Sequence, residues 1–178
     1  MKITLLRHCE VVEEYRGKYN GHIDIALSEK GKKDAQNLAK EFQNQHFDLI
    51  YCSDLLRAKE TLQALQLQLP TIYTDTLREK SWGRHEGKSF EEINEEGIEY
   101  KDFHQWINAL DGEDIESYKR RVENYFSQTI CKSDAQNILL VTHSGFIKTL
   151  LSITKNISLE EAFTIPLSYG SSIVLDGF

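Results

Sequence analysis

The sequence predicts an α/β fold with a mostly parallel sheet and helices on both faces, on two observations. Short β-branched or aliphatic runs recur along the chain, and segments of helical period lie between the first three of them. Strands alternating with amphipathic helices form βαβ units, whose right-handed crossovers lay the strands parallel.

Ile3 to Leu6 is the first strand. Ala35, Leu38, Ala39 and Phe42 then repeat at i, i+3, i+4, i+7, the apolar stripe of a helix resting on a sheet. Leu49 to Cys52 is the second strand, and Leu55, Ala58, Leu62 and Leu65 form the second stripe. Thr71 to Thr74 is the third strand. From Glu79 to Gly112 the chain turns polar and the rhythm breaks, which reads as an insertion over one sheet edge. Ile115, Tyr118, Val122, Tyr125 and Phe126 resume a helical stripe that ends near Cys131. Ile138 to Thr142 is the fourth strand, Phe146 to Ile153 the last helix, and Ser171 to Leu175 a final strand. The charge run from Glu91 to Glu99 is a solvated helix surface. Trp82, Phe90, Phe103 and Trp106 make the insertion's small core.

With 178 residues, 40% hydrophobic and 28% charged, the chain has the composition of one domain spanning residues 1–178. It is long enough to fold without a disulfide or metal staple. A net charge of −7 repels polyanions, so no nucleic-acid partner is expected. Ile3 to Leu6 is far short of a signal-peptide core or a membrane span, which predicts a cytoplasmic protein with no membrane association. Cys9, Cys52 and Cys131 show no CxxC spacing and are expected as reduced thiols, with no metal site. Cys9 and Cys52 close two strands read as neighbours, which would bring their thiols together.

Ligands of open α/β sheets bind beyond the C-terminal strand ends. Arg7 and His8 follow the first strand, Ser53, Asp54 and Arg57 the second, Glu79 comes shortly after the third, and His143, Ser144 and Gly145 follow the fourth. Two histidines, two arginines and a carboxylate at one edge suit phosphoryl transfer, in which catalysis is positioning plus neutralisation of oxygen charge. A neutral imidazole can attack phosphorus, and nearby guanidinium groups favour the neutral form. Glu79 can protonate the leaving alkoxide if desolvation or the incoming phosphate keeps its proton in place. Ser144 and Gly145 open a helix whose N–H groups can face an anion. His22, His46 and His104 read as surface histidines.

The motifs LLRHCE at 5–10, GHIDIALSEKG at 21–31, YCSDLLRAKETLQAL at 51–65, LREKSWGRHEG at 77–87 and LLVTHSG at 139–145, in that order, are similar to those of the histidine phosphatase superfamily, the phosphoglycerate-mutase-like proteins. The resemblance implies a three-layer αβα sandwich with a small cap insertion at about 80–135. It implies that His8 is the phosphohistidine, that Arg7, Arg57 and His143 form the phosphate pocket, and that Glu79 is the proton donor. Gly21, Ser144, Gly145 and His85 in the same motifs, and Asn20 just before one of them, are further substrate-binding positions that the resemblance implies. No metal or organic cofactor is implied, and the partner is a small phosphorylated substrate acted on by a monomer or homodimer. The early segment is most similar to α-ribazole-5′-phosphate phosphatases of cobalamin assembly. The alternatives are a broad-specificity phosphatase, a phosphoglycerate mutase, and a catalytically degenerate module that binds phosphorylated ligands. Cys9 stands where the family has glycine, on the expectation that the local turn tolerates a Cβ.

Overall fold

The computed structural model describes residues 1–177. Strands β1 (Lys2–Arg7), β2 (Leu49–Ser53), β3 (Thr71–Thr74), β4 (Asn137–Thr142) and β5 (Ser172–Asp176) form one sheet in the order β3-β2-β4-β1-β5. All neighbours run parallel except β5, which pairs antiparallel with β1. The mostly parallel α/β architecture is therefore as the sequence predicts, including the strand at the end of the chain.

Side chains alternate across each strand, so each strand supplies two faces. Leu6, Ile50, Cys52, Leu139 and Val141 point to one side, where Phe42 of α1 (Glu29–Phe42) and Ala58, Leu62 and Leu65 of α2 (Leu56–Leu65) cover them. Ile3, Leu5, Tyr51, Ile138 and Leu140 point to the other. There, Tyr118 and Val122 of α5 (Ile115–Tyr125) and Phe146, Ile147 and Leu150 of α6 (Ser144–Lys155) pack on them. Removing one such Leu to Ala costs about 2–5 kcal/mol. These two cores make the three layers.

A smaller core lies beneath the polar stretch, which carries α3 (Phe90–Glu95) and α4 (Phe103–Ala109). It joins Trp82, Ile93, Trp106, Ile107 and Leu110, with Tyr19 and Phe103 at its margin. Ile115, the first residue of α5, packs against both this cluster and the core on the sheet. Phe90 departs from the expected core position and is 40% exposed, its ring lying on Trp106 at the edge of the cluster. After α6, α7 (Leu159–Thr164) packs back on it before β5. No helix among the described residues is long and apolar enough to cross a membrane.

Strand order corrects one expectation. The chain skips a place between β1 and β2, and β4 fills it later, so Cys9 and Cys52 do not end neighbouring strands. Cys52 packs in the α1/α2 core, and Cys9 packs with Leu27 and Ala35. The Cys9 backbone lies outside the left-handed region, so its Cβ costs no strain. Its Sγ comes within 3.1 Å of where a Cβ on Gly170 would sit, and Gly170 has a φ of +69°. The glycine at that contact is Gly170.

Candidate active site

Because β1 and β4 are parallel and in register, Arg7 faces Thr142 across the ladder and the next residues, His8 and His143, leave the sheet side by side. Their ring centroids are 5.1 Å apart. The His8 backbone N–H still bonds the Thr142 carbonyl at 3.0 Å, so the strand end itself fixes the first histidine.

His8 Nδ1 lies 2.8 Å from the Cys9 carbonyl. A carbonyl only accepts, so Nδ1 carries the hydrogen and the lone pair of the neutral ring sits on Nε2. Burial, then the charges of Arg57 and Arg7, hold the His8 pKa well below its ordinary 6.5. His143 has the opposite tautomer. Arg57 Nε donates to its Nδ1 at 3.2 Å, which leaves Nε2 to donate to Ser53 Oγ at 2.8 Å. Burial followed by the Arg57 charge depresses its pKa as well.

Arg57, at the start of α2, is fully buried, and burial brings its pKa down to about 10. Its guanidinium donates to the carbonyls of Ile23 at 2.8 Å, Asn20 at 3.1 Å and Gly21 at 2.7 Å. The loop 20–23 that offers these carbonyls is held by one carboxylate. Glu86 accepts from the N–H groups of Gly21, His22, Ile23 and Trp82 at 2.8, 2.8, 3.2 and 2.9 Å. Arg7 donates to the Leu167 carbonyl at 2.5 Å and lies 3.9 Å from the Tyr169 ring centroid. Its buried Nε has no hydrogen-bond partner among the described residues.

Glu79 is placed by three short contacts. Its Oε1 accepts from Tyr118 Oη at 2.8 Å and from the Lys80 N–H at 3.0 Å, and its Oε2 accepts from the Gly145 N–H at 2.7 Å. Burial and the nearby carboxylate keep the Tyr118 hydroxyl protonated. Arg121 donates to the carbonyls of Thr76, Arg78 and Glu79 itself, anchoring the backbone of this turn. A Cβ on Gly145 would lie 2.1 Å from Glu79 Oε1. Only glycine permits the carboxylate so close to the first turn of α6.

A cavity of about 200 Å³ opens over these groups. Of the positions singled out from the sequence, Arg7, His8, Asn20, Glu79, Ser144 and Gly145 line it. Arg57, His143 and Gly21 stand behind that wall through the contacts above. The Gly145 N–H is directed at Glu79 and not at the open cavity. His85 is elsewhere: it is buried, and its Nδ1 accepts from the Asp111 N–H at 2.9 Å, tying the turn Gly83–His85 to the segment before α5.

Sequence reasoning did not single out Tyr169, Lys80 or Lys148, all of which line the cavity, and it placed Tyr118 only in a helical core stripe. Lys148 had a usable signal, being one turn after Ser144 on the same helix face. Tyr169 precedes β5 and meets Arg7 and His8 only through the antiparallel return of the chain.

The family model of the histidine phosphatase superfamily (branch 1) matches residues 3–177. The adenosylcobalamin/alpha-ribazole phosphatase of Salmonella typhimurium is 32% identical over 158 residues, 85% of this chain and 78% of that protein. Phosphoserine phosphatase 1 of Hydrogenobacter thermophilus is 32% identical over 154 residues, 81% of this chain and 71% of the other. Among solved structures, the alpha-ribazole phosphatase of Shigella flexneri superposes with a TM-score of 0.86 at 28% identity, covering 99% of this chain and 90% of that one. With the match running almost from end to end, over a sheet that sets two histidines side by side at one crevice, the chain belongs to the histidine phosphatase superfamily, branch 1, and is a phosphatase.

Proposed function

We propose that the chain hydrolyses phosphomonoesters through a phosphohistidine at His8, with α-ribazole-5′-phosphate as its substrate. The observation that carries the reading is the His8 tautomer. With Nδ1 committed to the Cys9 carbonyl, a neutral Nε2 is left in a cavity wall shared with Arg7.

Nε2 attacks phosphorus as the ester P–O bond breaks, and the leaving alkoxide takes a proton from the Glu79 carboxyl. Water then attacks phospho-His8, gives its proton back to Glu79, and inorganic phosphate leaves. Arg7, whose side chain lines the cavity, stabilises the phosphoryl oxygens. The buried Arg57 and His143 hold the nucleophile neutral and in place from behind. The substrate reading is supported by the α-ribazole phosphatase relatives and by the aromatic and apolar side chains Tyr19, Trp82, Ile107, Phe163 and Tyr169 lining the cavity, which suit a nucleoside.

The test is steady-state phosphate release from α-ribazole-5′-phosphate and p-nitrophenyl phosphate by the wild type and His8→Ala. Loss of turnover by at least about 10³-fold, with an acid-labile phosphate label on the wild type only, is expected. An unaffected variant ends the His8 mechanism. Turnover of p-nitrophenyl phosphate alone removes only the nucleoside substrate.

A further inference from the structure

Arg7 enters the crevice without a carboxylate to hold it. It has no ion-pair partner among the described residues, and burial lowers its pKa from the ordinary value, as expected of a cation short of water. What it has instead is the ring of Tyr169, whose centroid lies 3.9 Å from the guanidinium carbon. A cation over an aromatic face is attracted by the ring's quadrupole, and more strongly where water is thin. Nη1 of the same guanidinium donates to the Leu167 carbonyl at 2.5 Å. The two contacts do different things. The carbonyl fixes the guanidinium within its plane, the ring fixes the plane itself, and Nη2 is left with no acceptor among the described residues.

The turn that carries the ring is built onto the strand end it serves. The Gly170 N–H donates to the His8 carbonyl at 3.1 Å, and the Arg7 N–H donates to the Ser171 carbonyl at 3.0 Å. Ser171 closes the turn on the Ser168 carbonyl, donating from its backbone N–H at 3.1 Å and from its Oγ at 2.7 Å. A Cβ on Gly170 would meet Cys9 Sγ at 3.1 Å and Leu38 Cδ1 at 3.3 Å, so glycine lets the turn lie against the residue that follows the nucleophile. The Tyr169 and His8 ring centroids are 5.6 Å apart, with the planes at 49°. Tyr169 is half-buried, lines the cavity, and its hydroxyl bonds to none of the described residues. The ring, and not the hydroxyl, is what this side chain offers its neighbours.

We propose that Tyr169 is a positioning residue for phosphoryl transfer: its ring seats the Arg7 guanidinium, so that Arg7 meets the phosphoryl group in one orientation set before the ester arrives. An unseated arginine has rotamer freedom to lose on binding, and preorganisation removes that cost. The role rests on Arg7 binding the transferred phosphoryl group, as proposed above, and reaches the reaction only through Arg7. It is separate from the nucleoside reading, because the phosphoryl group is common to every ester the cavity takes.

The experiment measures inorganic phosphate binding by calorimetry to the wild type, Tyr169→Leu, Tyr169→Phe, Arg7→Met and the double variant Arg7→Met/Tyr169→Leu, with thermal melts showing that each folds. Tyr169→Leu weakens phosphate by about 3- to 30-fold, the range of a cation–π contact, and Tyr169→Phe keeps most of the affinity because the ring remains. On the Arg7→Met background the same leucine change has no further effect. In turnover, Tyr169→Leu lowers kcat/KM by one common factor for every ester hydrolysed, nucleoside or not. Additive losses in the double variant overturn the role, as does Tyr169→Phe losing as much as Tyr169→Leu, or a loss confined to nucleoside esters. If Arg7→Met binds phosphate as the wild type does, the Arg7 reading fails and takes this role with it. If Arg7→Met is weakened and Tyr169→Leu is not, the role of Tyr169 alone fails. The wild type also offers a check that needs no variant: nuclear Overhauser contacts between the Tyr169 ring and the Arg7 side chain are expected, and their absence would equally overturn the proposal.

Discussion

Glu79 shows how a single carboxylate acquires a task from its hydrogen bonds. Oε1 holds two donors and Oε2 one, so the lone-pair position left for a proton belongs to Oε2. In the proposed reaction that proton matters only when the leaving group is a poor one. Glu79→Gln is therefore expected to slow alkyl phosphate hydrolysis by about 10²–10⁴-fold, the usual range for general acid catalysis, and to slow p-nitrophenyl phosphate far less, because p-nitrophenolate departs without protonation. A plot of log kcat/KM against leaving-group pKa checks this. Equal losses across the series remove Glu79 as the acid.

At the scale of elements, two loops are locked by one side chain. Glu86 binds the N–H groups of residues 21–23 and of Trp82, and the carbonyls of that same loop hold Arg57, which in turn holds His143. Glu86→Gln places an amide NH2 against backbone donors. The expected result is a stability loss of about 1–3 kcal/mol in urea unfolding, together with a raised KM as the arginine loosens. Unchanged unfolding and unchanged KM would show that the loop holds itself. This network also marks where sequence legibility ends. His8 and His143 were legible because each closes a buried apolar strand, and parallel strands deliver their C-terminal ends to one edge. Arg57 was legible as a site residue, but its burial was not, since the carbonyls that satisfy it come from a loop 34 to 37 residues earlier. Lys80 lay within a polar stretch whose charges look alike in one dimension. Tyr169 reaches His8 from a turn at the other end of the chain. His85 looked like a pocket residue because its motif surrounds the site, while its ring spends its hydrogen bond on Asp111.

For the whole molecule, the buried histidine pair ties stability to pH. His8 and His143 are buried and hold folded-state pKa values well below 6.5, with burial as the first cause of each. Unfolding returns both to ordinary values near 6.5. Between those limits the unfolded chain binds two protons that the native one does not, so stability is fully present above about pH 6.5 and is lost as pH falls. The slope approaches about 1.4 kcal/mol per histidine per pH unit, roughly 2.7 kcal/mol for the pair. His85, also depressed by burial, acts in the same direction. Carboxylates held below their usual range, such as Asp54 beside Arg78, enter only in more acid solution, because their unfolded values lie near 4. Melting is therefore expected to fall by about 5–10 °C per pH unit on acidification below pH 6, given the roughly 2–4 °C that each kcal/mol moves a domain of this size. Scanning calorimetry from pH 7.5 to 5 on the wild type and His8→Gln measures it, with the variant's slope lower by one histidine. A midpoint that stays level over that range would mean that water reaches the pair, and the neutral nucleophile would then lose its physical basis.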